Sequence, residues 1–140
     1  MKLLYVLLAD HAFLSIDKKV NIIGVFENIN AAKFPVTHPK FVVVGSVDSP
    51  KPKFKMSVVL ADKEGKALMG GNNEREISLP QDSLTRNFNF IIEVINASFS
   101  KSGEYSVKIL IDGKSIGEQT LHVLESSSPQ TISLSDLKPS

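Results

Sequence analysis

Cysteine and tryptophan are absent from the 140 residues, tyrosine occurs only at positions 5 and 105, and the charges nearly cancel. Each shortage closes a class of function. Without cysteine there is no disulfide, thiolate nucleophile or thiolate metal site, which fits a cytoplasmic protein. Without tryptophan, and with Tyr5 and Tyr105 in phase with apolar neighbours, the chain lacks the exposed rings that stack on sugars or bases. Sixteen Lys and Arg against 15 Asp and Glu leave a net charge of +1. That creates no field to gather nucleic acid or an anionic membrane, so neither is an expected partner. No apolar run approaches the roughly eighteen residues that span a bilayer. Leu3 to Ala9 follows a single lysine, but Asp10-His11 interrupts it before any small-residue cleavage site, so it reads as a buried first strand rather than a secretory signal.

What is present is the composition of a soluble globular domain, with 42% hydrophobic and 22% charged residues. The length suits one domain with a continuous core. The clearest element lies between Phe99 and Leu124. Tyr105, Val107, Ile109 and Ile111 recur every second residue and share one face of a strand, and Asp112-Gly113 supplies the positive-φ residues of a tight reversal. That is a β-hairpin.

Upstream, Leu3 to Ala9 suits a central strand, and Val20 to Ile29, apolar on both faces, a second one buried on most sides. Pro35 and Pro39 exclude helix and central strand from Asn30 to Lys40, which reads as a loop crossing between sheets. Phe41 to Asp48 is a third strand. Lys51, Lys53 and Lys55 among prolines read as the guard of a sheet edge. Phe54 to Leu60 alternates as a fourth strand, Asp62 to Lys66 is a hairpin loop, Ala67 to Met69 and Glu74 to Leu79 are short apolar runs, and Asn87 to Phe99 is the longest strand. Seven or eight strands with no helical period predict a single antiparallel β-sandwich, immunoglobulin-like or Greek-key, over residues 1–125, with a small closed barrel as the alternative. Residues 126–140, rich in serine and proline, read as a flexible tail in which Ile132, Leu134 and Leu137 could dock on a partner.

Gly103-Glu-Tyr105 at the start of a late strand resembles the tyrosine corner of immunoglobulin-like sandwiches, in which the Tyr hydroxyl bonds upstream backbone. Gly103 and Tyr105 are therefore expected to form a structural corner. Over most of residues 1–124 the chain also resembles a family of short, uncharacterised bacterial proteins classed as a domain of unknown function. The resemblance rests on Leu4-Tyr5-x-Leu-Leu-Ala9-Asp10, Asn21-Ile-Ile-Gly24-Val-Phe26, Phe34-Pro35-x-Thr37-His38-Pro39, Gly103-x-Tyr105 and Asp112-Gly113. It implies a small β-sandwich and no activity, cofactor or catalytic residue.

Chemistry-bearing residues are sparse. His11, His38 and His122 have no ligand or base at the short spacings that reveal a metal site or a catalytic pair. Asp10, His11 and His38 form a weak candidate surface, Asp10-His11 with Ser15 being its nearest approach to a catalytic set, and a hydrolase using them is the third and least favoured reading. Asp48, Asp62, Glu64 and Asp112 could converge on calcium, but hairpin chemistry already explains Asp62 and Asp112. The expectation is a protein that is not an enzyme and holds no cofactor or metal. It would work as a module for a protein partner or for self-association into a homo-oligomer; a pocket for a small molecule or glycan is the alternative.

Overall fold

A computed structural model describes residues 1–48, 50–70, 73–82 and 86–126. Among them are ten strands and no α-helix. They are β1 (Lys2–Leu14), β2 (Val20–Phe26), β3 (Asn28–Ala31), β4 (Val36–Asp48), β5 (Lys53–Asp62), β6 (Ala67–Gly70), β7 (Arg75–Ser78), β8 (Phe88–Phe99), β9 (Gly103–Ile111) and β10 (Lys114–Glu125). They form a four-stranded sheet, β2-β1-β4-β8, and a six-stranded sheet, β3-β10-β9-β5-β6 with β7 also on β5. Neither closes into a barrel. All ladders are antiparallel except β3 with β10.

The core follows from the period-two rule. Val6, Leu8, Phe41, Val43, Phe90 and Val94 of the first sheet meet Leu60, Tyr105, Val107, Ile109, Leu121 and Val123 of the second in one buried cluster. At the centre of β4, Gly45 carries no side chain, and the ring of Phe90 occupies the space. A Cβ there would overlap Phe90 Cζ and lie 2.8 Å from the Tyr5 carbonyl oxygen. The expected hairpin is β9–β10, reversed at Asp112 and Gly113, whose φ values of 51° and 80° are those of a type I′ turn. The Tyr105 hydroxyl donates to the Lys101 carbonyl at 2.7 Å across the β8–β9 connection, and its ring meets Phe99 edge-on at 4.9 Å. Burial pushes the phenol pKa above its ordinary value.

Four sequence expectations change. β2 is an edge strand, and β3 is a separate strand that crosses to the other sheet. β1 runs through Asp10 and His11 to Leu14 rather than turning polar at Asp10. Pro39 lies inside β4. It is tolerated because the β1 ladder ends at Ala9↔Val42, and because the Pro39 and Asn96 positions drop out of the β4–β8 ladder, with Asn96 at φ 54°. Lys53 and Lys55 guard no edge: β5 is paired on both sides, Lys53 bonds Glu76 at 2.8 Å, and the Lys55 N–H donates to Asp112. Of the expected tail, Ser126 donates its N–H to the Ala31 carbonyl; the remainder, with Ile132, Leu134 and Leu137, lies outside the described residues.

Removing the corner hydroxyl strands the Lys101 carbonyl, so Tyr105→Phe should lower the unfolding free energy by about 1–2 kcal/mol in urea titrations. Because the folded phenol pKa is raised, the unfolded chain loses its proton first. Stability should be intact below the ordinary phenol value of about 10 and fall above it. That alkaline loss should be smaller in Tyr105→Phe. A Tyr105→Phe protein as stable as wild type would show that the corner bond contributes nothing.

Candidate functional site

The exposed surface is decided by how β4 is covered. Its residues Phe41 to Val47 are all buried, on both faces of the sheet. Alternation sends Phe41, Val43 and Val47 toward the second sheet and Val42 and Val44 to the opposite face, where a lone sheet would meet water. Instead Ala12 of β1 and Val20 and Ile22 of β2 pack with Ala9, Val42, Val44 and Ile91 in a second cluster. Past Ala9 the β1–β2 hairpin therefore leaves the β4 ladder and lies over that face.

Directly paired residues share a face, so Ala12 with Ile22 turn inward while His11 with Ile23 and Phe13 with Asn21 turn out. The His11 and Phe13 rings sit 5.9 Å apart on this outer face. On this face Phe13 is 42% and Ile23 54% exposed; Val25, paired with the buried Ala9, and Leu14, paired with Val20, are exposed elsewhere on the hairpin. The tip is ordered by Ser15, whose hydroxyl bonds Asp17 and whose N–H donates to the Lys19 carbonyl at 2.9 Å. The Ser15 hydroxyl, and then the Lys19 ammonium, hold the Asp17 carboxyl below its usual pKa.

The outer side of β2 pairs with no described strand. Such edges are ordinarily blunted by charge, proline or extreme shortness. From Val20 to Phe26 there is neither charge nor proline over seven residues. The opposite edge of the same sheet, β8, differs in carrying Glu93, paired with Lys40 at 3.5 Å; both edges have one positive-φ break, at Gly24 and at Asn96.

A cleft of about 1110 Å³ opens between β8 and strands β5, β6 and β7, where the two sheets part. Core residues Met56, Leu60, Phe90 and Val94 reach its floor, and Glu74, Arg75 and Glu93 stand among its lining. It has the size and the apolar base of a ligand site.

The structure does not assemble the sequence candidates into a catalytic set. Asp10 is exposed beside Gly24, and His11 is exposed on the outer face of the hairpin. The Ser15 hydroxyl is engaged with Asp17, so no Ser-His-Asp relay connects them. His38 is half-buried between Phe26 and Phe41, with ring centroids at 6.2 and 5.8 Å. Gly103 opens β9 and Tyr105 makes the corner described above. Three of the four acidic loop residues accept from backbone: Asp48 from Lys2, Asp62 from Lys66 and Asp112 from Lys55. Among the described residues no three His, Asp or Glu side chains cluster as metal ligands, and no helix is long and apolar enough to cross a membrane.

A family of unknown function, DUF6941, matches residues 4–124. The chain belongs to that family. No curated protein matches it. Among solved structures, the alkylpurine DNA glycosylase AlkC of Pseudomonas fluorescens, bound to DNA with an abasic site analogue, is similar at 12% identity and a TM-score of 0.39. The match covers 85% of this chain and 30% of the glycosylase, so the chain spans under a third of that protein.

In this DUF6941 chain the outward hairpin face was hidden from the sequence because Asn21-Ile-Ile-Gly-Val-Phe26 is apolar on both sides, the pattern of a strand buried on both faces. The available signal was the break at Gly24, whose φ of 73° belongs to a strand that bends. Two substitutions separate covered from uncovered residues. Val44→Ala should cost about 1–3 kcal/mol, since it leaves a cavity under the hairpin, whereas Ile23→Ser should stay within about 0.5 kcal/mol of wild type. Equal effects in chemical denaturation would contradict the placement of the hairpin.

Proposed function

We propose that this chain is a non-catalytic β-sandwich module that binds protein, either a partner chain or further copies of itself, through the β1–β2 hairpin. The sandwich is of immunoglobulin-like type. Support for that type comes from the order β1-β4-β8 facing β6-β5-β9-β10, which parallels the A-B-E and C′-C-F-G order of such domains, and from Tyr105 at the β8–β9 corner, where they carry a tyrosine. On that frame β2 is an added strand outside β1.

The observation that carries the functional reading is the uncovered edge. An uncharged seven-residue strand that no described strand pairs on one side, with Phe13 and Ile23 on the outer face beside it, offers a template of main-chain hydrogen bonds with apolar contacts. A protein strand or hairpin satisfies both at once. The near-neutral charge, the absence of tryptophan and the unconnected histidines supply no competing chemistry for nucleic acid, sugar or hydrolysis.

A second reading, binding of a small molecule, rests on the cleft between β8 and β5–β7. The two readings respond to different probes. Full-length protein immobilised in extract of its native host should retain a partner or soluble copies of itself, and Ile23→Lys should release them while leaving the melting temperature unchanged. If a compound panel instead raises the melting temperature of wild type and of Ile23→Lys alike, and the variant keeps every captured protein, the cleft is the working site.

A further inference from the structure

We propose that β2 pairs antiparallel with β2 of a second copy of this chain, joining the two four-stranded sheets into one continuous sheet about a two-fold axis at Ile23. This rests on the protein-binding reading above and names the partner. The Ser15 N–H bonds the Lys19 carbonyl at 2.9 Å, so Ser15 and Lys19 form a hydrogen-bonded pair at the head of the hairpin. Alternation along an antiparallel ladder then turns the backbone groups of Val20, Ile22 and Phe26 away from β1, toward the open side, with the positive-φ Gly24 interrupting the row.

A two-fold pairing centred on Ile23 sets Ile22 opposite the second copy's Gly24, and Val20 opposite its Phe26. The outward-facing groups of Val20 and Phe26 therefore meet, as a ladder requires, and Gly24 sets no side chain against Ile22. The same register places Lys19, which also pairs with Asp17 of its own chain at 3.1 Å, near the second copy's Glu27, one residue beyond either end of β2. Glu27 is exposed and forms no ion pair with the described residues of its own chain. Between these charges β2 carries none, so two copies approach without like-charge contact along the strand. Centring the pair on Ile22 instead would set Asp17 against Glu27. Charge complementarity thus favours a second copy in the register centred on Ile23 over one centred on Ile22.

Sedimentation equilibrium of the full chain over a range of concentrations tests this. Wild type should associate reversibly to twice the 15.3 kDa chain mass. Ile23→Lys, which puts two lysines face to face on the axis, should weaken the dimer at least about tenfold with unchanged circular dichroism. Glu27→Lys should weaken it as well, and the double substitution K19E/E27K should restore it toward wild type. A wild type that stays monomeric, a dimer indifferent to Ile23→Lys, or a double variant no better than Glu27→Lys would overturn the proposal. A monomeric wild type that still loses captured protein on Ile23→Lys would refute this pairing and leave the protein-binding reading standing. A monomer for which Ile23→Lys changes nothing would remove both.

Discussion

Strand β4 is buried on both faces over Phe41 to Val47, and most of the architecture follows from covering it. One face is covered in the ordinary way, by a second sheet whose alternate residues share the core. The other face presents Val42 and Val44, and each would lose about 1–2 kcal/mol of burial if left in water. The chain meets this locally. Strand β1 continues beyond its ladder with β4, turns at Ser15–Lys19, and returns as β2 so that Ala12, Val20 and Ile22 lie on the valines. A two-stranded hairpin has two faces and one far edge. Committing one face to β4 leaves the other face, with Phe13 and Ile23, exposed and the β2 edge unpaired by any described strand. The exposed surface is thus a consequence of how the core is closed.

Much of the second sheet was legible in the residues. Tyr105, Val107, Ile109 and Ile111 alternate cleanly, and Asp112-Gly113 has the side chains that tolerate the positive φ found there. The corner was equally legible, since Gly103-x-Tyr105 places a phenol where upstream backbone is within reach. The first sheet was harder, for a physical reason. Period two tells which residues share a face but not what covers it, so Val20 to Phe26 reads the same whether it is central or folded over a neighbour. Lys53 and Lys55 misled in the opposite sense, because their exposed side chains stand on a strand paired on both sides. Pro39 was excluded from a strand by a rule about missing N–H donors, yet it sits where β4 has no β1 partner and needs no donor on that side. Each failure concerns which distant strand lies alongside, and that is decided by residues far away in sequence.

The family assignment carries no activity with it, and the reading of function rests on surface physics alone. Natural sheets protect their edges, because an open edge joins whatever strand it meets. Along β2 there is no charge or proline and only the bend at Gly24, while β8 at the other end of the sheet carries a charge as well as its break at Asn96. A fold can tolerate one such edge when it has a regular occupant. The cleft beside β8 offers a different kind of site, with an apolar floor and charged lining, and it lies on the opposite edge of the first sheet from β2.

The most direct measurement is amide hydrogen exchange along β2 at increasing protein concentration. The amides of Val20 and Ile22, which face away from β1, should exchange fast when the protein is dilute and become protected as it is concentrated, while Ile23, paired with β1, stays protected throughout. Protection of Val20 and Ile22 that does not change with concentration or with an added binding partner, or concentration-dependent protection confined to β8, would contradict the central claim that the β2 edge is the working surface.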